Sequence, residues 1–196
     1  REENEVRYLS VKYSMPEYLV EKWKAAYGVK TTEKILEDFL TERPITVRCR
    51  THKASLREIV TSLKSQGVTV EQAPYLPYAL KISDYNHILT LETFLQGKIL
   101  VQDVSSMLVA EAASPKKGDH IIDMCAAPGG KSIHAADKMG DYGNVDARDV
   151  SQYKADLIEE NIHRTGVINV EARVQDATVY DPDSEQAADI VIADVP

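Results

Sequence analysis

No apolar run in the sequence approaches the roughly 18 residues that a bilayer-crossing helix requires, so the residues present hold no helical membrane span. No secretory leader is visible either, although the chain opens on Arg1 and not on Met, and its natural start is expected further upstream. Cysteine is scarce. Cys49 and Cys125 are the only two, which argues against a disulfide scaffold or a Cys-ligated zinc site and fits a reducing, cytoplasmic setting. His120, His134 and His163 lack ligand spacing, so no metal site is expected. Positive charge is also short: 23 Lys and Arg face 31 Asp and Glu, a net −8 that speaks against non-specific binding to nucleic acid. There is no internal repeat and no low-complexity tract.

What is present supports a globular fold. Hydrophobic residues make up 43% and charged residues 28% of 196, enough core for one large domain or two small ones. The charge is unevenly placed. From Arg43 to Arg57 the chain carries Arg43, Arg48, Arg50, Lys53 and Arg57, with His52, and no acid. The stretch 44–50 alternates, with Ile45, Val47 and Cys49 on an apolar face and Thr46, Arg48 and Arg50 on a polar one. Cys49 therefore reads as core. Arg48, Arg50, Lys53 and Arg57 read either as a phosphate-contacting face or as a plain solvated strand face.

The spacing predicts helices over 14–28 and 31–42, the first capped by Ser14 and ended by Gly28. A third, 55–67, opens on a Ser55/Glu58 capping box. Strands are expected near 68–72 and 78–82, so that 44–82 forms a small β-α-β-β unit. From residue 99 the pattern changes to strand 99–103, helix 105–114 and strand 120–124. Helix 131–140, strand 144–149, helix 152–165 and strand 170–175 follow. After a loop comes strand 188–195. Alternation of apolar strands with helices implies a parallel sheet with helices on both faces. The boundary is placed between 1–95 and 96–196.

The stretch DMCAAPGGKS (123–132) joins a strand to a helix with no bulky side chain. In such sheets ligands bind beyond the carboxyl ends of the strands. Gly129 and Gly130 would let a ligand touch the backbone, and the helix N-terminus offers N–H groups. A P-loop fails on spacing, because Cys125 stands where its first glycine belongs. A dinucleotide site fails because G-x-G-x-x-G is absent. S-adenosylmethionine remains, and the acids suit it. Asp149 ends the second strand, where a ribose diol would be met. Asp176 ends the next, near an adenine amino group, and Asp194 ends the last. Each could alternatively be an ordinary turn or cap residue.

DMCAAPGGKS, with GKILVQDVSSML (97–108) upstream and ADVP (193–196) downstream, resembles the RNA cytosine-5 methyltransferases of the Sun/Fmu type, which act on bacterial small-subunit ribosomal RNA. The resemblance implies an α/β fold: a Rossmann-like, doubly wound sheet that binds S-adenosylmethionine, preceded by a small α+β, RRM-like domain with leading helices. It implies that Cys125, Ala126, Ala127, Pro128, Gly129, Gly130 and Lys131 form the methionine-side loop. Asp149 would hold the ribose and Asp176 the adenine, and Asp194 would lie between cofactor and target base. It places Gln102 and Asp103 near the active cleft, although Asp103 or Ser105 would equally serve as a helix cap.

In that family a cysteine thiolate adds to C6 of the cytosine, C5 takes the methyl group, and a base removes the C5 proton. The family's cysteines follow D-[AV]-P, beyond the last residue here, so no nucleophile is assigned. Cys125 is read as packing in the cofactor turn. The sequence departs from the family at VRCR (47–50), where Arg50 stands in place of an asparagine, which unsettles any contact carried over there. The expected partner is RNA, ribosomal before transfer RNA, acted on by a monomer without a metal. The rival of another class is a non-catalytic RNA-binding protein that keeps the fold.

Overall fold

A computed structural model describes residues 2–41, 43–140 and 142–195; Glu42, the last residue of the expected second helix, and Pro196 lie outside them. The chain divides into two compact units, one up to Arg43 and one from Pro44 onward.

The first unit holds three helices, α1 (Glu2–Tyr13), α2 (Glu17–Tyr27) and α3 (Val29–Leu40). Val6, Leu9 and Tyr13 of α1 pack with Val20 and Leu36, and Met15 and Trp23 close the cluster. The sequence reading assigned no element before residue 14, yet Val6, Leu9 and Tyr13 have helical spacing. Ser14 does not cap α2. It sits in the turn at φ 51°, and Pro16 takes the cap position. Gly28, at φ 75°, breaks α2 from α3.

The second unit begins with an antiparallel sheet built from β1 (Ile45–Cys49), α4 (Leu56–Ser65), β2 (Thr69–Gln72), β3 (Ala79–Ser83), α5 (Glu92–Leu95) and β4 (Ile99–Val101), in strand order β2-β3-β1-β4. The capping box starts α4 as expected: the Glu58 amide donates to Ser55 Oγ at 3.3 Å, and the Ser55 amide donates to Glu58 Oε2 at 2.7 Å. Ile59 and Leu63 of α4 bury against Val47, Cys49, Leu80, Ile82 and Ile99. The strand expected to open the second domain belongs to this sheet instead. β4 pairs antiparallel with β1, Cys49 opposite Ile99, and completes a β-α-β-β-α-β arrangement. Ile99, fully buried, extends the apolar face of β1, which gives the pairing its physical reason.

The chain continues with α6 (Val104–Ala113), β5 (His120–Asp123), α7 (Gly130–Met139), β6 (Asn144–Asp149), α8 (Gln152–Thr165), β7 (Val170–Val174) and β8 (Ile190–Ile192). The strands are parallel in order β7-β6-β5-β8. The chain steps from β5 to β6 to β7, then returns to the other side of β5. That reversal opens a crevice at the carboxyl end of β5. Ile121, Val145, Ala147, Val170 and Ile192 pack with Ala135, Ala136 and Met139 of α7 and with Ile158 of α8. These helices cover one face of the sheet. Strand alternation puts Ile122, Asp146, Arg148, Arg173 and Val191 on the other, which no helix among the described residues supplies with a core.

Candidate cofactor-binding site

The turn between β5 and α7 is stitched to both neighbouring strands. The Met124 amide donates to the Ile192 carbonyl at 2.9 Å, and the Ala126 amide to the Arg148 carbonyl at 2.8 Å. Gly129 closes the turn at φ 97°, a left-handed conformation that side chains disfavour. A Cβ there would lie 3.2 Å from Ile158 Cγ2 of α8. Backbone conformation and close packing thus both account for Gly129. Gly130 differs: a Cβ would meet nothing nearer than Gln102 Cδ at 3.8 Å, so the fold does not require a glycine there. Gly129 gives α7 no side-chain cap, and the first-turn N–H groups have no acceptor within the helix.

Asp123, at the end of β5, was passed over in the sequence reading. It is fully buried and accepts a 2.6 Å bond from Ser132 Oγ. Burial raises its carboxyl, against the Ser132 bond and the Lys131 charge. The signal was its apolar strand context, which makes an acid at that position costly unless it ties the turn to α7.

Asp149 ends β6 at 3% exposure. Its Oδ2 accepts the Ala127 amide at 3.0 Å, which joins it to the turn. Its Oδ1 accepts the Val150 amide at 2.8 Å and the Lys154 ammonium at 3.0 Å. Burial alone would raise this carboxyl, but the Ala127 amide, Lys154 and the Val150 amide outweigh it and hold it below its ordinary value. Asp194 lies past β8, exposed, and accepts a 2.6 Å bond from Lys131 Nζ, which also reaches Ser106 Oγ at 3.4 Å. Asp176 stands apart. It is exposed, and its Oδ1 accepts the Thr178 amide and hydroxyl at 2.9 and 2.7 Å, while Oδ2 has no hydrogen-bond partner among the described residues.

Cys125, Ala126, Ala127, Pro128, Gly130, Lys131 and Asp194 line one cavity of about 240 Å³, together with Gln102, Asp103 and Ser106. Asp103 holds the N-cap position of α6 without a side-chain cap bond. The two readings of that residue thus meet at one place, the cap position and the cavity wall.

The basic strand is not the solvated face expected of it. Arg48 and Arg50 are 2% and 1% exposed. Arg48 Nη1 donates to Asp137 Oδ2 at 2.6 Å, and Arg48 Nε to Gln102 Oε1 at 2.8 Å. Arg50 Nη2 donates to Asp137 Oδ1 at 2.6 Å, and its Nη1 to the Thr165 and Gly97 carbonyls at 2.6 and 3.1 Å. Burial opposes ionisation of Asp137, but the Arg50 and Arg48 guanidinium groups prevail and hold its carboxyl below the usual range. Arg48 therefore ties β1 to α7, Arg50 ties the end of that strand to α7 and α8, and neither presents a face to phosphate. Lys53 and Arg57 are at the surface, the Lys53 ammonium donating to the Thr165 carbonyl. Cys49 is buried as expected. Among the described residues no group of His, Cys, Asp or Glu is arranged to hold a metal ion.

Two family models match the chain. One, 16S rRNA methyltransferase RsmB/F, matches residues 110–196. The other, described as the RsmF/B-like methyltransferase ferredoxin-like domain, matches 15–88. The chain is 37% identical over 175 residues to the probable ribosomal RNA small subunit methyltransferase B of Bacillus subtilis, covering 89% of this chain and 39% of that protein. It is 41% identical over 106 residues to the tRNA (cytosine(72)-C(5))-methyltransferase of Pyrococcus horikoshii, covering 54% of this chain and 27% of the relative. The solved structure of PH0851 superposes with a TM-score of 0.77 at 31% identity, over 97% of this chain and 43% of that one. The chain thus spans well under half the length of these curated relatives.

Proposed function

The chain belongs to the RsmB/F family of 16S rRNA methyltransferases, and on that premise we propose that it carries the S-adenosylmethionine site of an enzyme that methylates C5 of a cytidine in small-subunit ribosomal RNA. The observation that carries the reading is the bond between Asp149 and the Ala127 amide. It sets a carboxylate at the end of β6 directly against a turn with no bulky side chain.

The residues fit that cofactor. A carboxylate oxygen accepts about two hydrogen bonds. Asp149 Oδ2 has accepted one and retains capacity for a ribose hydroxyl. Lys154, half exposed, can give way at Oδ1. Oδ2 of Asp176, without a hydrogen-bond partner among the described residues, is the proposed acceptor for the adenine amino group. The cavity lined by residues 125–128, Gly130 and Lys131 would take the amino-acid end, with Asp194 on its wall. The carboxylate of Asp103 on its wall, with that of Asp194 shared with Lys131, favours a sulfonium cation by simple Coulomb attraction. When bound, the cofactor supplies a methyl group carrying the sulfonium's positive character. The protein's part is to hold that end in a cavity beside Asp194, where a target base can approach. Neither cysteine is assigned as nucleophile: Cys49 is core, and Cys125 belongs to the cofactor turn. Contacts to RNA phosphate are proposed only for Lys53 and Arg57.

The likeness to a transfer RNA enzyme supports a second reading of the substrate, in which the same cofactor site serves tRNA. Calorimetric titration of S-adenosylmethionine into the chain, beside NAD and beside Asp149→Ala, tests the site. Saturable binding of the first ligand, none of NAD, and loss of about tenfold or more in the folded variant are expected, since a hydrogen-bonded carboxylate is worth that much. Equal binding by Asp149→Ala would refute the assignment. Labelled methyl transfer by the parent enzyme to 16S or tRNA transcripts separates the two substrates.

A further inference from the structure

Gln102 follows β4 and lines the cavity against the first turn of α7. It is 6% exposed. Its Oε1 accepts the Arg48 Nε–H bond, and that bond fixes the amide, since a guanidinium can only donate. The other end, Nε2, is shut off from water and has no hydrogen-bond partner among the described residues. Nε2 thus carries two N–H donors that no group among the described residues receives, on a residue that lines the cavity.

Arg48 cannot turn away to relieve this. Its Nη1 is held by Asp137 at 2.6 Å, and Asp137 is gripped in turn by Arg50. The ion cluster joins the antiparallel sheet to a helix of the parallel one: Arg48 on β1 and Arg50 just past it supply the guanidinium groups, and α7 supplies the acid. Asp137 orients Arg48, and Arg48 orients Gln102.

Other donors share the cavity. Gly130 and Lys131 line it from the uncapped first turn of α7, and the Lys131 ammonium, paired with Asp194 at 2.6 Å, keeps N–H bonds to give. An amide NH2, helix N-terminal amides and an ammonium together suit a small anion. In the cofactor proposed above, the one anionic group is the carboxylate of its amino-acid end. We infer that Gln102 is a cofactor-binding residue that donates from Nε2 to this carboxylate, with Arg48 and Asp137 as positioning residues that act through it. This rests on the S-adenosylmethionine reading. It also gives the buried Arg48 a role that a phosphate-contacting face does not.

The test compares S-adenosylmethionine with its decarboxylated analogue, which keeps every other group. Gln102→Glu preserves the acceptor for Arg48 and replaces the donor with a negative oxygen. It should weaken the carboxylated ligand by about tenfold or more and leave the analogue within about twofold. Gln102→Leu should show the same selectivity and serves if the glutamate variant fails to fold by circular dichroism. Arg48→Lys, which keeps the charge beside Asp137 but loses the Nε donor, should give a smaller loss of the same kind. Equal weakening of both ligands, or no change in either, overturns the inference. A wild-type chain that binds neither ligand sinks the cofactor reading itself, before any variant is compared.

Discussion

Replacing Asp137 by Asn removes one charge and almost no volume, yet the structure makes this a severe change. Asp137 is the carboxylate that both Arg48 and Arg50 contact, each at 2.6 Å, and the side chains are 7%, 2% and 1% exposed. Arg50 Nε adds contacts at 2.9 and 3.2 Å to the two carboxylate oxygens. An asparagine keeps one acceptor and turns an NH2 toward a guanidinium, donor against donor. Two buried cations would then share no counter-ion. Breaking a buried pair in this way costs about 3–5 kcal/mol. For a protein of this size that lowers the midpoint of thermal unfolding by roughly 6–20 °C. Far-UV circular dichroism is the suitable probe, because the single Trp, Trp23, belongs to the first unit. The pH dependence carries a second signature. The folded-state carboxyl is held below its ordinary value, so its stabilisation is complete above that value and is lost as pH falls through the folded-state one. The gap between wild type and Asp137→Asn should therefore be full at pH 7 and shrink below about pH 4. A midpoint lowered by less than about 2 °C, or a gap that does not change with pH, would refute the view that this ion cluster joins β1 to α7.

Gly129→Ala should lose about 1–2 kcal/mol from left-handed strain alone, with Ile158 pressed besides, and chemical denaturation would read it; Gly130→Ala, which meets only ordinary contact, should lose less. Burial pushes the Cys49 thiol up to about 12 against the pull of Arg48, so a disulfide reagent at pH 8 should titrate Cys125 alone in the native chain and Cys49 only after unfolding. Bound S-adenosylmethionine should slow the reaction of Cys125. Ser55→Ala removes the capping box of α4 and should cost about 1 kcal/mol in urea unfolding.

The parts of the fold that obey a local period were legible in the sequence. The alternation in β1, the stripe and cap of α4, and the strand-helix rhythm after residue 114 each need only near neighbours. Gly129 and Gly130 read alike in the sequence, as room for a ligand; that the fold itself requires glycine at 129 depends partly on Ile158, a residue 29 positions away. What the sequence hid are decisions made at long range. Arg48 and Arg50 alternate as a solvated face would, and only the acid on α7, 87 and 89 residues on, turns that face inward. The run Ile99–Val101 suits either sheet, and pairing with β1 decides. Gln102 reads as an ordinary polar residue until Arg48, 54 residues earlier, fixes its amide. Asp123 and Asp149 close strands and Asp194 follows one, but the distances that separate a structural acid from a ligand-facing one come only from packing.

The most direct measurement is a crystal structure of this chain with S-adenosylhomocysteine. The account predicts the ribose against Asp149, the amino-acid end in the cavity lined by Gln102, residues 125–128, Gly130 and Lys131, and the sulfur facing the side of Asp194. Density for the nucleoside elsewhere, such as the apolar hollow among Met124, Val179 and Tyr180, with the 125–131 cavity holding only water, would contradict it.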